Sequence, residues 1–481
     1  MNIVVYSLLV PFIITFIAPF LRPRCATIIS FLSFIIPFFV TLWALLIGQS
    51  FEVPLIDLGK PIGKFYLFGD PISNAFGLTI CLVSAMVALY SLPYMMHRFE
   101  EMKDEIEDPV REFRKYILLF DLYAVSMLWL VYSGNLILLY IFLEISLLAS
   151  FLLIYKYGYG NRQWVATLYF VWTHIAGVLT LIGFLMIAFE NSTLALKSIT
   201  TVSFLAWLLI FLGMVVKLPG LGPHIWLPWA HAEAPTPVSA LLSPLTVGLA
   251  GYVLLRIYLV SPWFIQHFRN IIIAYGIITS LYAGFSVFKQ TDYKRLLAYS
   301  TVSQMGYMLI ALCLGSYGVL GVIIQYISHA FGKSILFMTA GGIIALYHGL
   351  RDVNKMGGLH EYVPTIANAA LIGFMNLSGI LAIGMFGEFF ILRGIVDIYG
   401  LDLKLILAIV AVFIISGWYS FYTMKRIFYG TPKDMERPKM SRLLDVPLYV
   451  IGVISIAFIF PPLATFFLKS LKLAVLGGVM P

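Results

Sequence analysis

The chain has 481 residues, of which 61% are hydrophobic and 11% charged, with a formal net charge of +8. Soluble domains carry about 45–50% apolar and about 25% charged residues, so this excess excludes a water-soluble globular protein and points to a bilayer as the solvent. Three scattered cysteines, Cys25, Cys81 and Cys313, form no Cys-x-x-Cys, which argues against a disulfide framework, an iron–sulfur cluster or a structural zinc site.

The first apolar stretch, Met1 to Phe20, starts without a basic region and lacks a small-residue cleavage site, so it reads as a first span and not as a signal peptide. Further apolar segments fall near 26–48, 73–92, 114–133, 135–155, 164–189 and 202–219. The second half adds 236–258, 271–288, 296–315, 317–347, 368–394, 403–428 and 445–469. A span needs about 20 residues, with some range for tilt. The pattern therefore predicts an all-α polytopic membrane protein of about fourteen transmembrane helices. The eleventh segment is too long for one straight helix and is expected to be broken. The longest polar stretches, 51–72 and 96–113, are too short to bury a core, so residues 1–481 form a single transmembrane domain. The acidic run from Glu100 to Asp108 reads as a solvated loop.

Basic residues report topology. With the N-terminus outside, twenty lysines and arginines fall in inner loops, Lys294 among them, against nine in outer segments, including Arg256 and Lys472. That bias predicts both termini on the outer side and an even number of spans.

A charge at the centre of a span costs roughly 2.5–3.5 kcal/mol on insertion scales, so ionisable residues inside spans are functional candidates. Glu144 interrupts the apolar run 136–153. Lys217 ends an apolar stretch and is followed by Pro219, Gly220, Gly222 and Pro223, a cluster that must break the helix. Such breaks are tolerated at membrane depth only where they line protein or a watery cavity, and they recur at transporter ion sites. His329 and Lys333 stand four apart on one helix face, with Gln325 a turn earlier and Gly332, Gly341 and Gly342 as places to deform. Glu388 follows Gly379, Gly384 and Gly387, a second glycine-interrupted span. Each has a structural alternative. Glu144 could merely pair a buried cation, Lys217 could snorkel to the interface, His329 could be a hydrogen-bonded core histidine, and Glu388 could neutralise Arg393. Four such residues, two of them beside breaks, favour a pathway.

Three ordered motifs carry a resemblance. The segment Lys217–Leu242, KLPGLGPHIWLPWAHAEAPTPVSALL, is the first. Asp292–Tyr307, DYKRLLAYSTVSQMGY, and Ser328–Phe337, SHAFGKSILF, followed by Gly357-Gly-Leu359, are the others. Over roughly residues 115 to 430 the chain resembles the antiporter-like subunits of respiratory complex I, Mrp-type Na+/H+ antiporters and membrane-bound hydrogenases, with a mild leaning to the Mrp and hydrogenase branch. The resemblance implies three N-terminal spans in 1–113, two inverted five-helix repeats over 114–258 and 271–428, broken spans 7 and 12, and a C-terminal span at 445–469. It implies a proton relay of Glu144, Lys217, His329, Lys333 and Glu388, with the breaks at Pro219, Gly220 and Pro223 and at Gly384 and Gly387. A lysine in a low-dielectric site loses its proton more readily, while a nearby carboxylate holds the proton on, which would make Glu144 and Lys217 a switch.

One departure stands out. Many relatives carry a second lysine in span 8, where this chain has Gly248, and another branch has histidine where this chain has Ser243. The central link is then absent, or taken by water with Ser243 or Thr246. The implied function is a proton-translocating subunit of a multisubunit energy-converting complex in a prokaryotic cell membrane. Its partners would be other membrane subunits, including paralogous ones, with protons or Na+ as cargo and no nucleic acid. A non-conducting scaffold and a stand-alone secondary transporter are the alternatives. No nucleotide fingerprint, P-loop or metal-ligand cluster appears, and neither a cofactor nor a catalytic site is expected in this chain. The chain also ends soon after the last predicted span, so the long lateral helix of the most distal complex I subunit is not expected.

Overall fold

The computed structural model describes residues 3–433 and 435–478. The chain ends, whose side of the membrane the charge bias addresses, and the Lys472 side chain lie outside the described residues. Among the described residues nine helices are long and apolar enough to cross a membrane. In chain order the helices are α1 Ile3–Ile17, α2 Pro23–Leu46, α3 Pro71–Glu101, α4 Pro109–Val131, α5 Leu136–Tyr157, α6 Arg162–Asn191 and α7 Phe204–Lys217. Then follow α8 Trp226–Glu233, α9 Thr236–Leu241, α10 Val247–Val260, α11 Trp263–His267, α12 Arg269–Phe288, α13 Tyr293–Leu312 and α14 Gly315–Leu346. The last are α15 Pro364–Leu377, α16 Gly384–Tyr399, α17 Leu403–Ile427, α18 Arg442–Ala457 and α19 Pro461–Gly478.

The core lies where helices are covered on all sides. All of the apolar window of α14 is buried, as is nearly all of α3 and of the stretch from α9 to α10. α14 packs against α3, α9, α13, α15, α16 and α18, so it is the axis of the fold. Outer helices keep an apolar face exposed, with Phe39, Trp43, Ile175, Ile278 and Trp418 on it, as expected where lipid or a partner replaces water.

Several expectations need correction. The eleventh span is not broken: α14 is one continuous helix of 32 residues. Its glycines serve close approach instead of deformation. A Cβ at Gly332 would stand 3.0 Å from Asn376 Cβ, one at Gly341 2.3 Å from Thr236 Cγ2, and one at Gly342 2.9 Å from Ile366 Cδ1. The polar stretch 51–72 holds a β-hairpin. Phe51–Asp57 (β1) pairs antiparallel with Lys64–Gly69 (β2), an exception to the all-α expectation. The hairpin is tied down by Phe68 N–H to Tyr132 O at 2.8 Å and Gly134 N–H to Tyr66 O at 3.0 Å.

Lys294 and Arg256 are not loop residues. Asp292 caps α13, which draws Lys294 inward to donate to the Ala234 carbonyl with no exposure. Arg256 lies in α10 and clamps Asp70, the cap of α3, at 2.6 and 2.7 Å.

Candidate functional site

α7 stops at Lys217 because Pro219 and Pro223 have no N–H to donate and Gly222 adopts φ +97°. The freed groups find partners. Trp226 Nε1 donates to Val216 O at 3.0 Å, Tyr275 OH to Leu221 O at 2.7 Å, and Leu221 N–H to Thr279 Oγ1 at 3.2 Å. The α-helix is thereby interrupted between α7 and α8, by a turn at 218–222 and a 3-10 turn at Pro223–Ile225.

Beside it, Lys217 Nζ lies 3.6 Å from Glu144 Oε1, and Glu144 Oε2 lies 2.8 Å from His174 Nδ1. Gly177 makes room for this carboxylate, since a Cβ there would stand 2.2 Å from Glu144 Oε1. The cluster runs outward. Lys217 is buried, Glu144 is one-fifth exposed, and His174, stacked on Phe170, has 45% of its side chain at the surface of the chain. His174 is a member that the sequence reading missed. The signal was present: a lone histidine in the middle of the apolar helix α6.

A cavity of about 20 Å³ next to Lys217 is lined also by Ser146, Tyr169, Thr173, Trp226 and Thr246. That is room for about one water. Thr246 bonds the Tyr123 hydroxyl. Its helix carries a π-turn at Leu242–Thr246, around Pro244, which the sequence did not reveal. On the same turn Ser243 Oγ is 2.6 Å from Thr301 Oγ1, and Thr301 donates to Leu297 O at 3.1 Å. Lys333 Nζ donates to that same carbonyl at 2.7 Å and to Ser300 Oγ. Ser243 and Lys333 are therefore joined through one α13 backbone oxygen. Lys333 has no carboxylate within ion-pair distance among the described residues. Both ring nitrogens of His231 are buried and make no hydrogen bond among the described residues, while the buried ring of His329 faces the Pro244 backbone.

The place of the absent lysine is filled. A Cβ on Gly248 would stand 2.5 Å from Tyr326 Cδ2, so the α14 tyrosine occupies the space that a longer side chain on α10 would need.

Beyond His329 the polar groups continue along α14. Gln325 Nε2 donates to Gln304 Oε1 at 2.6 Å. Gln304 Nε2 reaches Ser416 Oγ at 2.8 Å, Leu377 O at 2.9 Å and Tyr419 OH at 3.0 Å. Leu377 ends α15, so its carbonyl is one that the break between α15 and α16 sets free. That break spans 378–383, with Gly379 at φ +63° and Leu381 at φ +48°. Gly384 and Gly387 are not the breaking residues. Gly384 opens α16 against Asn376 O, and Gly387 lies inside α16 facing Gln325, both serving close contact. Glu388 packs its carboxylate under Gly379, where a Cβ would stand 2.3 Å from Oε2, and its Oε1 is buried and without a hydrogen bond among the described residues. Arg393 lies over the Tyr317 ring, 5.3 Å from its centroid, and makes no ion pair with Glu388 among the described residues.

At one loop face a cavity of about 720 Å³ is lined by Glu233, Asp292, Arg295, His348, Arg351 and Lys355, among others. Arg351 and Lys294 flank the Tyr159 ring nearby. The Tyr159 hydroxyl is 2.7 Å from that of Tyr94, to which Thr236 donates at 3.0 Å.

Residues 133–414 match the profile of the family described as NADH:quinone oxidoreductase/Mrp antiporter, TM. The chain is 34% identical over 343 residues to one of the subunits of the Na(+)/H(+) antiporter of Alkalihalophilus pseudofirmus, covering 66% of this chain and 41% of that protein. It is 30% identical over 432 residues to the NADH-quinone oxidoreductase subunit L of Campylobacter jejuni, covering 87% of this chain and 69% of that one. The chain thus spans less than half the length of the first relative and about two thirds of the second. Its fold superposes on a chain of respiratory complex I from Thermus thermophilus with a TM-score of 0.84 at 21% identity, covering 98% of each.

Proposed function

Since the chain belongs to the NADH:quinone oxidoreductase/Mrp antiporter membrane family, we propose that it is a proton-translocating subunit of a multisubunit energy-converting complex. The observation that carries this reading is the Lys217–Glu144–His174 cluster, which begins at a broken helix and emerges at the chain surface halfway along α5 and α6. A charged cluster there is expensive against lipid, so the reading puts a partner subunit over it. Moving Glu144 toward Lys217 holds the proton on the lysine, and moving it away favours release. A partner that shifts α5 or α6 would set that state.

Protons released from Lys217 would pass by the one-water cavity and Thr246 toward Lys333 and His329, and on through Gln325 and Gln304 to Glu388. Fourteen spans fit this reading if α7 with α8, α9 with α10, α15 with α16, and α18 with α19 each count as one and the five-residue α11 is left out. The two inverted repeats then cover 114–258 and 271–428, with breaks at equivalent places. Both termini would lie on the outer side of a prokaryotic cell membrane. Moving one charge against the potential costs about 2.3 kcal/mol per 100 mV, so the drive comes from redox partners or a counter-ion gradient.

The test is proton flux in sealed vesicles holding the assembled complex. Lys217→Ala and Glu388→Gln should each remove coupled flux while leaving assembly unchanged. Wild-type flux in both variants would sink the relay and leave a membrane scaffold.

A further inference from the structure

We propose that Tyr326 carries the central step of the path as an uncharged hydroxyl relay, in the place where a span 8 lysine would stand; this rests on the proton-path reading above.

The first observation is steric. A Cβ at Gly248 would lie 2.5 and 2.7 Å from two carbons of the Tyr326 ring, closer than real contacts allow. The ring has nowhere to go. It stacks on Phe76 at 4.1 Å, and Phe76 packs on Tyr252 at 4.9 Å. Tyr252 in turn donates to Val131 O at 2.6 Å and accepts from Arg256 Nε at 2.9 Å. Arg256 is locked to Asp70. Glycine at 248 and tyrosine at 326 are therefore sterically matched: the ring on α14 fills the space that a side chain on α10 would need.

The second observation is chemical. The Tyr326 hydroxyl is buried and makes no hydrogen bond among the described residues. Leaving a buried hydroxyl unsatisfied costs about 1–3 kcal/mol, and phenylalanine would fill the same space without that cost. Packing alone does not account for the oxygen.

The third is position. Tyr326 follows Gln325 and precedes His329 by three residues on α14, and its ring packs against Gly248, two residues after Thr246. Tyr123 is bonded to Thr246, which lines the cavity beside Lys217. Tyr326 thus packs on the stretch that carries Thr246 and shares a helix face with His329. A phenol is both donor and acceptor. Its oxygen receives a proton from the Tyr123 side as its own proton leaves toward His329, and it ends neutral. A lysine would store charge at this point. A tyrosine passes the proton on.

The experiment uses the full chain assembled with its partner subunits in sealed vesicles, with proton flux read by a pH dye under an imposed potential. Tyr326→Phe keeps the ring and the stack, and should lower flux about a hundredfold, the low end of what a positioned proton-transfer group contributes. Its subunit content should match wild type, and its melting temperature should be no lower, since the unsatisfied hydroxyl is gone. Gly248→Lys alone should lose flux or assembly through the clash. The exchange Gly248→Lys with Tyr326→Ala should conduct more than tenfold better than Tyr326→Phe, on the scale of the same contribution. Wild-type flux in Tyr326→Phe while Lys217→Ala blocks would overturn the role of Tyr326 alone. An exchange variant that assembles yet conducts no better than Tyr326→Phe would also overturn it. Wild-type flux in both Tyr326→Phe and Lys217→Ala would remove the path itself, and this role with it.

Discussion

Replacing Glu144 by glutamine keeps shape and removes charge. Lys217 Nζ and Glu144 Oε1 are 3.6 Å apart, with 9% and 20% of their side chains exposed. At an effective dielectric of about 20, two unit charges at that separation attract by about 4–5 kcal/mol. Breaking a buried pair from one side costs about 3–5 kcal/mol, because the surviving charge stays buried without compensation. Glu144→Gln should therefore lower stability by roughly that amount, measured by equilibrium unfolding in mixed micelles. The amide can keep its contact with His174, so the loss reports on the lysine. Adding Lys217→Met should recover most of the loss, since no orphan charge remains. A Glu144→Gln variant within about 0.5 kcal/mol of wild type, the range of a neutral surface change, would refute the pairing.

Asp70 lies at the cap of α3, and burial alone would raise its carboxyl, but the charge and hydrogen bonds of Arg256 hold it below the usual carboxylate range. The stability from this clamp is then complete above the unfolded value of about 4 and is lost only as pH falls through the lower, folded one. Asp70→Asn should cost about 3–5 kcal/mol at neutral pH, as one-sided loss of a buried pair does, and should flatten the acid limb of a melting-temperature profile. Gly379→Ala places a methyl group 2.3 Å from Glu388 Oε2 at a φ of +63°. It should cost about 1–3 kcal/mol in backbone strain and displace the carboxylate, seen as lost flux with assembly retained.

Much of the architecture could be read in advance because lipid demands long apolar runs. The break after Lys217 could be read because Pro219 and Pro223 cannot donate hydrogen bonds whatever surrounds them. What escaped was relational. The glycines of α14 look like hinges in one dimension, and only the neighbours Asn376, Thr236 and Ile366 identify them as contact points. The second break was assigned to Gly384 and Gly387, whereas backbone geometry assigns it to Gly379 and Leu381. Arg256 and Lys294 counted as loop charges because their partners, Asp70 and the Ala234 carbonyl, are 186 and 60 residues away in sequence. His174 joined the site only when α6 was laid beside α5. Gly248 read as a missing part until Tyr326 was seen to fill its place.

The proposed path requires side chains inside the bilayer to exchange protons with one another and with water. Infrared difference spectroscopy on the assembled complex, comparing energised and resting states, tests it most directly. A carboxyl stretching band that appears on energising, shifts in D2O and vanishes in Glu388→Gln is the predicted result. A spectrum with no carboxyl band that responds to Glu388→Gln or Glu144→Gln, recorded while the complex pumps, would contradict it.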